Sequence, residues 1–108
     1  MNVILINPFE VPEGREAETL AQWDRVAEYM RRQPGFIATR LHRAVSPGAR
    51  FHFVNVAEWA SAEAFQAVIA SEAFRRLTAG TVPHFPALYE VVRDLPPAGS
   101  DEGGDAGA

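Results

Sequence analysis

The sequence predicts an α+β chain of the ferredoxin-like, split βαβ type. Its order is β-α-β-β-α-β, an antiparallel sheet with its helices on one face. Three observations predict it. Short runs rich in β-branched and aromatic residues lie at 2–9, 36–45, 50–60 and 87–93. Stretches at 15–33 and 62–78 carry apolar residues at helical spacing. The turn Ser46-Pro47-Gly48-Ala49 joins the two middle strands as a hairpin.

The first strand, NVILINPF, places Val3, Leu5, Asn7 and Phe9 on one face and Ile4 and Ile6 on the other. Pro8 cannot donate to a ladder, so the strand ends or meets an edge there. Leu20, Trp23, Ala27 and Met30 make the apolar stripe of the first helix, which reads as core. Glu16 and Glu18 favour the start of that helix, Arg31 and Arg32 its end, and Pro34-Gly35 stops it. In the second strand Ile37, Thr39, Leu41 and Val45 alternate with Ala38, Arg40, His42 and Ala44. Ser61 and Ser71 read as N-caps of two consecutive helical pieces. A Pro-flanked loop with His84 and Phe85 leads to the last strand, 87–93.

One domain over residues 1–95 is expected, followed by a disordered tail at 96–108, PPAGSDEGGDAGA. The chain has no Cys, which excludes disulfides, thiolate metal sites and a Cys nucleophile. All ten basic residues are Arg, so a Schiff-base lysine is excluded too. A net charge of −4 argues against nucleic acid as a partner. No apolar run approaches the roughly 20 residues that span a bilayer, and Asn2 to Ile6 is too short for a signal segment. A cytoplasmic protein with no membrane partner is the expectation. Arg40, His42 and His52 can meet as a polar cluster across the hairpin, but nothing in their spacing makes a metal motif, and no metal site is assigned.

The third strand carries the functional signal. Phe51, Phe53, Asn55, Ala57 and Trp59 share one face, so an amide and an indole sit among aromatic rings. Buried, each is costly unless it finds a partner or a ligand. Asn7 is the polar intruder on the equivalent face of the first strand. If Asn7 and Asn55 face the helices, then Ile4, Ile6, Val54 and Val56 form an apolar outer sheet face. A face of that kind needs a cover, and a homodimer through the sheets is the expectation.

INPFEVPEGRE opening the first helix, QPGF after it, and VNVAEWASAEAF followed by SEAFRRL resemble the antibiotic biosynthesis monooxygenase family of dimeric α/β barrels. The resemblance covers about residues 2 to 93. It implies a cofactor-independent monooxygenase that oxidises a small aromatic (a phenol, anthrone or quinol) through its anion, with O2 as co-substrate. Members of this kind use an Asn and a Trp four apart on the third strand, which Asn55 and Trp59 match as catalytic residues. They also use nearby tyrosines, where this chain has Val56 and Phe65. Asn7, Phe51, Phe53, Phe65, Phe74 and His84 are then the substrate-binding candidates, with His84 also a candidate base.

The resemblance leaves haem and flavin open. Haem-degrading members use an Asn near the end of the first strand, which Asn7 matches. Their Trp and His fall on about Val68 and Thr78 here. Two other readings stand beside the oxygenase: a non-catalytic binding or accessory protein, and a polyketide cyclase or isomerase on the same fold.

Overall fold

A computed structural model describes residues 1–99; of the expected tail, residues 100–108 lie outside the described residues. The elements follow the expected order: β1 (Val3–Phe9), α1 (Glu16–Met30), β2 (Phe36–Arg43), β3 (Phe53–Trp59), α2 (Ala62–Ile69), α3 (Glu72–Leu77) and β4 (Ala87–Tyr89). The four strands form one antiparallel sheet in the order β2-β3-β1-β4, with the helices on one face. This is the ferredoxin-like fold.

The helix boundaries follow from local chemistry. Ser61 accepts a hydrogen bond from the Ala64 N–H at 3.1 Å, and Ser71 accepts one from the Phe74 N–H at 3.1 Å. The path from α1 into β2 turns at Gly35, where φ is +88°. A Cβ there would lie 2.5 Å from the Ala64 Cβ, so glycine serves both the turn and the close approach of α2.

Two expectations are corrected. Phe36 pairs with Trp59 and Ala38 with Glu58, so Ile37 is an extra residue in the ladder and is 45% exposed. The bulge puts Phe36 on the inner face in place of Ile37. The last strand stops at Tyr89 rather than residue 93. It pairs Ile4 with Tyr89, Leu5 with Leu88 and Ile6 with Ala87, and β1 begins at Val3, so the next residues run out of partners. Val91, Val92 and Leu95 are exposed beyond it.

The core is in two clusters. Leu5, Met30, Ala57, Trp59, Phe65 and Val68 form one between sheet and helices. Phe9, Phe53 and Val82 form the other. No helix among the described residues is long and apolar enough to cross a membrane.

Candidate functional site

A cavity of about 470 Å³ takes its walls from both clusters and from α1. Asn7 and Asn55 lie on its sheet side, directly opposite each other in the β1–β3 ladder. Trp59, Phe65, Phe74 and His84 also line it. Period-two alternation explains the first three: Asn7, Asn55 and Trp59 point the same way as the buried Leu5 and Ala57. A separation of four strand residues puts Asn55 and Trp59 roughly 13 Å apart at the backbone, so one ligand that touches both has more than one ring.

The polar groups on this face are unequally satisfied. Thr39 Oγ1 donates to Asn55 Oδ1 at 2.6 Å. With its carbonyl oxygen taken, Asn55 presents its amide N–H groups, for which no protein acceptor is present among the described residues. Asn7 Oδ1 and Trp59 Nε1 are buried without any hydrogen-bond partner. Trp59 is fully buried, held edge-on by Phe36 at 5.4 Å and Phe65 at 5.6 Å. An orphaned buried polar group costs about 1–3 kcal/mol, which a ligand group can offset.

Two candidates do not join the cavity. Phe53 is 1% exposed but packs with Phe9 and Val82, with the Arg43 guanidinium 5.7 Å from its ring. Phe51 lies before β3 begins, between Arg50 and the Phe85 ring at 5.8 Å. The alternation that assigned it to the inner face does not extend past the strand end. Nor do Arg40, His42 and His52 assemble. Arg40 and His42 pair in register with the outward-facing Val56 and Val54, whereas His52 turns to Glu16 at 3.3 Å, beside Arg43. Among the described residues no group of three His, Cys, Asp or Glu is placed to hold a metal ion.

His84 is held more firmly than a covering loop would be. Its backbone bridges to Phe9, the Phe85 N–H donates to the Pro8 carbonyl at 3.0 Å, and the Glu10 N–H donates to the Pro83 carbonyl at 2.9 Å. The loop is therefore a fixed wall. Among the lining residues that the sequence does not single out are Thr39, and Trp23 and Met30 of α1, which read as core. The groups with shifted pKa values lie outside the cavity, on the exposed side of α1. Arg15 holds Glu18 below the usual carboxylate range, and Arg32 with Arg31 does the same to Glu28.

Fold and site together define an α+β fold with a mostly apolar cavity under an antiparallel sheet. The antibiotic biosynthesis monooxygenase family profile matches residues 2–80, and the chain belongs to that family. It is similar to a protein of Shewanella loihica PV-4 provisionally described as a monooxygenase: 34% identity, TM-score 0.76, over 86% of this chain and 96% of that one. It is similar to SnoaB, a cofactor-independent oxygenase from Streptomyces nogalater: 27% identity, TM-score 0.77, over 89% and 98%. It is also similar to the haem-degrading protein Rv3592 (MhuD) of Mycobacterium tuberculosis: 33% identity, TM-score 0.67, over 90% and 98%. MhuD has also been solved with two haems in its active site. Curated proteins yield no match.

Of the groups that would hold a haem, the described lining offers one imidazole, His84. Val68 and Thr78 stand where the resemblance would put the haem-handling Trp and His. The described lining holds no Arg to pair with a propionate.

Proposed function

We propose that this protein is a cofactor-independent oxygenase of a small multi-ring phenol, anthrone or quinol, with O2 as co-substrate. The observation that carries the reading is the Thr39–Asn55 hydrogen bond on the wall of an aromatic cavity. It fixes the Asn55 amide with its N–H groups available to an oxygen on a bound ring.

Triplet O2 reacts slowly with closed-shell molecules, and an electron-rich anion overcomes this by giving up one electron. The substrate loses a proton to become a phenolate or enolate. Electron transfer to O2 and recombination form a carbon–oxygen bond. Loss of water then converts a CH2 or C–H into a carbonyl, with the second oxygen atom leaving in the water. On this reading Asn55 stabilises the anion and the peroxide oxygen. Trp59 backs the cavity as a rigid wall, held by Phe36 and Phe65. Phe65 and Phe74 help to exclude water from the reacting oxygen. One preorganised donor of this kind is worth about 2.7–4 kcal/mol. The SnoaB similarity supports cofactor independence.

A second copy of the chain, on the same reading, covers the outer sheet face of Ile4, Ile6, Val54 and Val56. These side chains face away from the helices, and a homodimer through the sheets removes them from water.

The test is oxygen uptake by the purified protein, without added cofactor, when an anthrone or a reduced naphthoquinone is supplied in air. Uptake that Asn55→Ala abolishes supports the proposal. A Soret or flavin spectrum in active protein contradicts cofactor independence. Ring closure of a polyketide without oxygen uptake points to the cyclase reading, and tight binding without turnover to a binding protein.

A further inference from the structure

Among the described residues, His84 is the one imidazole on the cavity wall. The other lining groups are apolar, amide, hydroxyl or indole. The fold also sets which of its nitrogens can act. His84 Nδ1 lies 2.8 Å from the Val82 carbonyl oxygen. A carbonyl can only accept, so Nδ1 carries the hydrogen, and the neutral ring's lone pair is at Nε2. Nε2 has no protein partner among the described residues. The ring stacks on Phe9 at 5.6 Å with 25° between planes, and Val82, which orients it, is 3% exposed. Along β1, Phe9 is the next same-face residue after Asn7, a step of roughly 7 Å. His84 thus flanks the residue one same-face step beyond Asn7, on the wall of the cavity that Asn7 and Asn55 also line.

Resting on the oxygenase reading, we infer that His84 Nε2 takes the substrate's hydroxyl proton. The O–H bond breaks and its electron pair stays on oxygen as the phenolate. An Nε2–H bond forms, and the resulting imidazolium shares the cavity with the anion that Asn55 receives. The charge separated in this step is balanced within the cavity, which has no other cation. Around His84, Phe9 on β1 and the Val82 carbonyl carry no charge. Glu10 on β1 and Arg50 from the hairpin loop are bonded to each other at 2.6 Å. The step narrows the substrate class to neutral hydroxyaromatics that are un-ionised in water at neutral pH, since one already ionised needs no base.

The experiment separates proton transfer from oxygenation by removing oxygen. Under argon, 4-nitrophenol is bound to the full-length protein at a pH where the free phenol is mostly neutral. Its neutral and anionic forms absorb at different wavelengths. The expected result is an anion fraction at least threefold larger in the wild-type complex than in His84→Asn, with binding by calorimetry unchanged within threefold. Asn at this position can keep the hydrogen bond to Val82 while lacking the base. His84→Gln serves as the second variant, and both are checked for native circular dichroism. Equal anion fractions in all three, or a bound phenol that stays neutral in the wild type, overturn the inference. Failure of aerobic oxygen uptake leaves this measurement unaffected, so the two readings fail separately.

Discussion

Asn7 and Asn55 face each other across the β1–β3 ladder, and their amides are in different states. Asn55 Oδ1 accepts from Thr39, whereas Asn7 Oδ1 is buried with no partner. One amide is oriented in advance. The other keeps a buried acceptor without a protein partner. The oriented amide can receive a phenol oxygen as its developing anion at Asn55.

Thr39 should behave as a positioning residue. Thr39→Val keeps the shape and removes the donor, leaving the Asn55 carbonyl unsatisfied at a cost of about 1–3 kcal/mol. For a domain of this size each kcal/mol lowers Tm by about 4–8 °C. Thermal unfolding should show a drop of that order, with oxygen uptake reduced about tenfold. Thr39→Ser should restore most of both. Unchanged uptake in Thr39→Val would show that the bond is structural only.

Asn55→Ala should lower turnover by about 10²–10³-fold, the usual effect of removing one oxyanion donor, while the aromatic cavity still binds ligand. Asn55→Asp should be no better, because a carboxylate repels the developing anion. Steady-state oxygen consumption and equilibrium binding of the same compound separate the two effects. A loss confined to binding would count against a role in the reaction.

Gly35→Ala should destabilise the packing of α2 against the start of β2, behind the cavity face of Trp59. The new Cβ meets Ala64 at 2.5 Å and the backbone sits at φ +88°. Overpacking of this kind costs about 1–3 kcal/mol, and the positive φ adds to it. Chemical denaturation should show the lower midpoint. Ligand affinity, measured below that midpoint, should hold.

Val56→Glu should produce monomers. Val56 pairs with Ile6 at the centre of the outer face, and a carboxylate there is costly to bury against a second sheet. Light scattering after size exclusion should give half the wild-type mass. A wild-type monomer would remove the sheet-face dimer altogether.

Much of the candidate site's sheet wall was legible because strand alternation is a strict period. Once β1 and β3 were recognised, Asn7, Asn55 and Trp59 had to share a face with Leu5 and Ala57. Two facts beyond that period hid the rest. The bulge at Ile37 reassigns the start of β2, and only the paired register brings Thr39 diagonally against Asn55. Phe51 lies beyond the strand end, where alternation no longer applies. Trp23 and Met30 carry the same helical signal whether they fill a core or line a cavity. The tautomer of His84 depends on a carbonyl two residues away, which no spacing rule announces.

The most direct test of the central claim is a crystal structure of the protein with a hydroxynaphthalene bound. The account predicts the ring in the cavity between Trp59 and the asparagines. Its oxygen should lie within hydrogen-bond distance of Asn55 Nδ2, with the Thr39–Asn55 bond intact. A ring elsewhere, or one seated in the cavity with its oxygen turned away from Asn55, would contradict it.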